Sequence, residues 1–145
     1  MRKWTAILTL PLLLLGVFLM GCSKQDNKID ENLLPKRADD ISVQNELGNY
    51  NILASVPLYT LNGIYGGVTS KTGDAVSIEY MGVSAEDFQA YAESLQNSSW
   101  QLKEGSKVWL TEGWMGMPQF VKNGIMITLS WSVTDGNLIM SVAYA

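Results

Sequence analysis

The sequence predicts an α+β fold: an antiparallel sheet of about five or six strands with one amphipathic helix, about residues 85–97, packed on one face. Three patterns carry this expectation. After Ser84, apolar residues recur at helical spacing on a single stripe. Further on, Asn123-Gly124 and Asp135-Gly136 separate segments of apolar–polar alternation, which marks two consecutive hairpins. Earlier, residues 64–80 read as two extended segments around a turn. A helix with one apolar stripe must bury it, and one face of an antiparallel sheet must be covered.

The chain begins with Arg2 and Lys3, followed by an uncharged run, "WTAILTLPLLLLGVFLM", from Trp4 to Met20. A short basic start before an apolar run is the layout of a secretory signal. A membrane-spanning helix needs about 20 strongly apolar residues. This run has 17, and it includes Thr5, Thr9 and Pro11, the last of which interrupts a helix interior. The segment behind it, "SKQDNKIDEN", is polar and carries charges of both signs, so a cleaved or lipid-modified signal fits better than a span.

Leu19-Met20-Gly21-Cys22, which contains the only cysteine, resembles the lipobox of bacterial lipoproteins. That resemblance implies diacylglyceryl attachment to the Cys22 thiol and cleavage between Gly21 and Cys22, with acylation of the new amine in many members. Two or more acyl chains anchor a protein stably, whereas one binds only marginally. The implied location is the extracytoplasmic side of the cell membrane, with the bilayer as a partner through acylated Cys22. In a two-membraned host, Ser23 after the cysteine would favour the outer membrane. The expected organisation is a signal peptide at 1–21, a lipid anchor and polar tether at 22–40, and a single α+β domain at 41–145.

Composition narrows the chemistry. Removing residues 1–21 takes two of the ten Lys/Arg and none of the fourteen Asp/Glu, leaving eight basic against fourteen acidic side chains, a net charge of −6. Nucleic-acid binding needs clustered cations to displace counterions, and this balance argues against it. It argues equally against electrostatic docking on anionic lipid. Histidine is absent, which removes the commonest general base and the commonest zinc ligand together. With Cys22 acylated, neither a disulfide framework nor a redox pair remains.

Element by element, Ser23–Asp40 is strongly charged and reads as a tether, with an end-to-end distance of roughly 20–25 Å for a flexible coil. "NYNILASVPLYT", residues 49–60, reads as a weak strand that Pro57 pushes toward an edge. In the hairpin that follows, Thr72-Gly73-Asp74 is expected to supply a residue with positive φ. Val76, Ile78 and Tyr80 then alternate with Ser77 and Glu79, a half-buried strand. Ser84 is an N-cap candidate with Asp87 three residues on, and Glu86 complements the positive helix end. Phe88, Tyr91, Ala92 and Leu95 form the stripe, while Gln89, Glu93 and Gln96 face away. Asn97-Ser98-Ser99 ends the helix. Phe120 opens the next strand. Ile125, Ile127, Leu129, Trp131 and Val133 share one side of the strand after Asn123-Gly124, and Leu138, Met140, Val142 and Tyr144 share one side of the last.

The arrangement resembles small bacterial lipoproteins in which a lipobox signal peptide precedes an α+β domain. The matching stretches are Leu34-Pro35-Lys36, the acidic helix from Ser84 to Tyr91, and the strand meander behind it. These motifs are structural, and the resemblance implies a location and a fold but no activity.

Catalytic and ligand motifs give way to simpler readings. "GGVTSKT", Gly66–Thr72, lacks the Gly before Lys71 that a P-loop needs and sits in a hairpin. Glu79, Glu86, Asp87, Glu104 and Glu112 each have a strand, cap or turn role, so no acid–base pair stands out. Asp39-Asp40 is an isolated pair without Ca²⁺-loop spacing. No metal or cofactor is expected. One stretch resists a purely structural account: "VWLTEGWMGMPQF", Val108–Phe120. If Val108 and Leu110 face inward on a strand, Trp109 faces outward. Trp114, Met115 and Met117 then fall where Gly113, Gly116 and Pro118 demand a loop. Such residues either complete local packing or form a contact surface, since Trp anchors interfaces and Met adapts to irregular partners. The candidate binding surface is therefore Trp109, Trp114, Met115 and Met117. The expected function is non-enzymatic binding of an envelope protein or ligand. An envelope hydrolase-type enzyme is the alternative, and a steric spacer or inhibitor is a third reading.

Overall fold

The computed structural model describes residues 34–106 and 117–145. Six strands form one antiparallel sheet: β1 (Ile64–Thr72), β2 (Ala75–Met81), β3 (Gln101–Leu102), β4 (Gln119–Lys122), β5 (Ile125–Trp131) and β6 (Leu138–Tyr144). Their order across the sheet is β1-β2-β6-β5-β4-β3. The last strand thus enters the middle and joins the β1–β2 hairpin to the β3–β4–β5 meander. The α+β expectation holds, with its antiparallel sheet and its helix at Ala85–Asn97.

That helix, α2, forms for the reasons legible in its sequence. The Ser84 Oγ accepts from the Asp87 N–H at 3.1 Å and donates to Asp87 Oδ2 at 2.8 Å, so the capping residues grip each other. Phe88, Tyr91, Ala92 and Leu95 are its buried residues. Phe88 stacks on Trp131 of β5 with ring centroids 5.2 Å apart, and the Tyr91 hydroxyl lies 3.3 Å from Met140 Sδ of β6, which fixes α2 on the sheet. At its far end Ser99 takes a φ of 67°. The Trp100 N–H reaches back to Leu95 O and the Ser99 N–H to Gln96 O, a Schellman closure with a serine where glycine is the usual residue.

Val76, Ile78 and Tyr80 of β2, Phe120 of β4, Ile127, Leu129 and Trp131 of β5, and Leu138, Met140 and Val142 of β6 all point to the helix side and are buried. Asn123 and Gly124 both have positive φ, 50° and 75°, as a two-residue hairpin with the twist of its strands requires.

Five readings need correction. Residues 49–60 are not a strand. They hold a 3-10 turn, Asn51–Leu53, and their buried apolar residues, Ile52, Leu53, Val56 and Tyr59, follow helical spacing rather than alternation. A helix not foreseen, α1 (Ile41–Leu47), precedes them and buries only Val43 and Leu47, too little to show as a stripe. The ordered contacts also begin before Ile41: Ala38 is fully buried, its N–H bonds to Gly63 O, and Arg37 bridges Ile64. In the β1–β2 turn Thr72 pairs with Ala75, and Gly73 is not among the residues with positive φ. Val133 lies beyond β5 and Tyr144 ends β6, and both are exposed rather than inward.

Candidate functional site

The face of the sheet opposite α2 is built by the outward residues of each strand, and the register arranges them in rows. A central row runs Ser70, Ser77, Ser141, Thr128 and Gln119 across five strands. Every member carries a hydroxyl or amide, and the Ser77 and Ser141 hydroxyls lie 2.9 Å apart. On one side of it run Ala75, Ala143, Met126 and Val121, and on the other Glu79, Ile139 and Ser130. Glu79 is the only ionisable side chain in these three rows. By the same alternation Ile64 and Met81, which pair with each other, extend the outward face at one end. Ile64, Met81 and Ile139 are each exposed by close to two-fifths.

At that end the face deepens into a cleft of ≈ 540 Å³ lined by Met117, Ser130, Trp131, Ser132, Asp135, Asn137 and Ile139. The β5–β6 turn, which supplies Asp135 and Asn137 to its lining, is held by one glycine. Gly136 has a φ of 68°, and a Cβ there would come within 2.9 Å of Val83 O. The close approach lets the Val83 N–H bond to Gly136 O at 2.9 Å, while Val83 O accepts from Trp131 Nε1 at 3.0 Å. The β5–β6 turn is thereby tied to the loop that starts α2. Within the turn, Asp135 Oδ1 accepts from the Asn137 N–H. Hydrogen bonds from Ser132 and then from the Asn137 backbone hold the exposed Asp135 carboxyl below its usual value, so it stays an anionic acceptor at neutral pH.

Of the candidate binding residues, Met117 belongs to this cleft and is 62% exposed. Its position is fixed by its neighbours: Pro118 O accepts from the Leu129 N–H, and the Gln119 N–H donates to Ser106 Oγ at 3.1 Å. Trp109, Trp114 and Met115 lie outside the described residues, as do Gly21 and Cys22. Sequence reasoning missed Ser130, Asp135, Asn137 and Ile139. Ile139 alternates out of β6 and so was readable as outward, but its neighbourhood with Met117 depends on β6 entering beside β5.

Chemically, the cleft offers hydroxyls, one amide, one carboxylate and the apolar side chains of Met117, Trp131 and Ile139. That suits binding through hydrogen bonds and apolar contact. Among the described residues there is no group of three or more His, Cys, Asp or Glu placed to hold a metal ion. The Ser77–Ser141 pair joins two hydroxyls, so neither serves the other as a base.

A second polar cluster is buried on the helix side. The Tyr59 and Tyr80 ring centroids are 5.0 Å apart, Tyr59 and Tyr91 5.4 Å, and Tyr65 and Tyr80 6.2 Å. Three hydroxyls donate outward: Tyr59 to Asn62 O, Tyr65 to Glu46 Oε1 at 2.8 Å and Tyr91 to Pro57 O at 2.6 Å. The buried Tyr80 hydroxyl has no hydrogen-bond partner among the described residues. Burial raises the pKa of all four phenols, and they are neutral at physiological pH. This cluster packs the segment 57–65 against the sheet. Comparison with protein-family models, curated proteins and solved structures finds no match to this chain.

Proposed function

We propose that this protein is a bacterial lipoprotein whose α+β domain acts by binding at the sheet face opposite α2, without catalysis, outside the cytoplasm. The single observation that carries the binding reading is the character of that face. Its three central rows carry one ionisable side chain in an acidic protein, and it exposes Ile64, Met81 and Ile139, with Ile139 and Met117 lining a cleft. Grouped apolar exposure beside polar groups marks interaction sites, whereas scattered apolar residues do not. The anchor reading is supported by the basic start, the apolar run and Gly21-Cys22.

Two experiments test it. Cys22→Ala should leave an unprocessed, unacylated precursor in membrane fractions, and normal processing of that variant sinks the anchor. For the face, Met117→Lys with Ile139→Lys should sharply reduce retention of the immobilised protein's partner from envelope extract while leaving the melting temperature within a few degrees. Unchanged retention refutes the face. Turnover of an extract component during the incubation would move the reading to an envelope enzyme instead.

A further inference from the structure

We infer that the sheet face opposite α2 takes a second copy of this chain, pairing face to face across a two-fold axis that runs along the hydroxyl row. This deepens the proposed function, since it rests on that face being the interaction surface, and names the partner.

The first support is size. Five inter-strand spacings of about 4.8 Å, with strands of about 3.4 Å per residue, give a face roughly 24 Å on a side. β2, β5 and β6 each have the 7 residues that this length needs. Two such faces in contact remove on the order of 1,100 Å² from water, which clears the roughly 1,000 Å² minimum expected of a biological interface.

The second support is self-complementarity, which an interface between identical faces must have. An axis lying in the interface along Ser77, Ser141 and Thr128 sets that row against itself. A hydroxyl both donates and accepts, so a row of hydroxyls can satisfy its own copy. A row of carboxylates or amines could not. The same axis exchanges the two flanking rows. On β6, Ala143 then meets Ile139; on β5, Met126 meets Ser130; on β2, Ala75 meets Glu79. Each of these three seven-residue strands places a small residue against a large one, the condition for interdigitated sheets.

The third support is charge. Glu79 lies toward the rim, one strand from the edge strand β1. The axis sets it against Ala75, not against the Glu79 of the other copy. A face with a charge nearer its centre, or on the central row, would repel itself.

The test is the oligomeric state of the purified full-length protein in detergent, measured by sedimentation over a dilution series. Two variants accompany it: Ser141→Arg at the axis and Gln89→Arg on the exposed side of α2. Both keep Cys22, so micelle sharing affects them alike. The expected result is a dimer for the wild type and for Gln89→Arg. Ser141→Arg should associate about a hundredfold more weakly, because the axis brings like charges together. Hydroxyl-radical footprinting of the wild type needs no substitution: Met117 and Ile139 should gain protection with concentration while exposed Ile41 does not. A wild-type monomer throughout the series overturns the second-copy assignment and leaves the envelope-retention test of the face standing. A dimer that survives in folded Ser141→Arg, or protection that appears at Ile41 instead, also overturns it.

Discussion

Replacing Gly136 by alanine should destabilise the protein far more than replacing Gly124, although both glycines sit in hairpin turns with nearly the same backbone. Gly124 has a φ of 75° and Gly136 one of 68°. The left-handed conformation costs an L-residue about 1–2 kcal/mol, partly offset by about 0.4–1 kcal/mol from the stiffer unfolded chain. Gly124→Ala should therefore cost about 1 kcal/mol or less, since nothing lies within 4 Å of its added methyl. At Gly136 the methyl would sit 2.9 Å from Val83 O and 3.2 Å from Val83 N, both backbone atoms. Relieving that contact separates the two loops and breaks the Val83–Gly136 hydrogen bond, worth about 1 kcal/mol. It also strains the bond from the buried Trp131 indole to Val83 O, and an unsatisfied buried donor costs about 1–3 kcal/mol. The excess over Gly124→Ala should be about 2–4 kcal/mol, a difference in Tm on the order of 8–16 °C. Urea unfolding of the two variants, followed by far-UV circular dichroism, measures the difference directly. Equal losses would refute the claim that close approach to Val83, rather than φ alone, demands glycine at 136.

Phe88→Ala should lose about 3–5 kcal/mol, since it empties the space beneath Trp131, whereas Gln89→Ala on the exposed side should change little; equal urea midpoints for the two would remove α2 from the sheet. Ser99→Gly should gain about 1 kcal/mol in thermal melts by relieving a left-handed serine, and a loss there would contradict the Schellman closure. Asp135 has a folded pKa below its unfolded value near 3.9, so its contribution is present above that pH and disappears as pH falls through the folded pKa. The stability gap between the wild type and Asp135→Asn should therefore be open at pH 7 and close on acidification. A gap independent of pH would show that the Ser132 and Asn137 hydrogen bonds do not favour the anion.

Local signals were legible and non-local ones were not. Ser84 and the Phe88–Leu95 stripe define α2 within a dozen residues, and Asn123-Gly124 sets a hairpin within two, so both could be read directly. α1 escaped because seven residues with two buried positions carry almost no periodicity. The stretch from Asn49 to Thr60 misled because Pro57 suggested an edge strand, while Ile52, Leu53, Val56 and Tyr59 are buried at helical spacing around a 3-10 turn. Of the candidate site, Met117 was readable from its Gly116–Pro118 setting. The rest of the cleft was not, because Ile139 meets Ser130 only once β6 has entered between β2 and β5.

The edges of this sheet explain why association should use its face. Outer strands invite pairing with other chains, and both are restrained here. β3 offers only two residues, Gln101 and Leu102. β1 is covered at its start by the Arg37–Ile64 bridge, and register shifts between Tyr65 and Gly67 and between Val68 and Ser70 break its regular edge. Across the face, by contrast, the register is unbroken from β2 through β6 to β5. Its central hydroxyls make that surface selective. The Ser77 and Ser141 hydroxyls satisfy each other only in part, and with Thr128 they lose water on contact, a loss recovered by a partner that meets them with donors and acceptors at the same spacing. A purely apolar surface would cover the exposed Ile139 and Met117 but leave the row beside them unsatisfied. The face therefore favours a partner with a matching polar row over one that is merely greasy, and its own copy has that row.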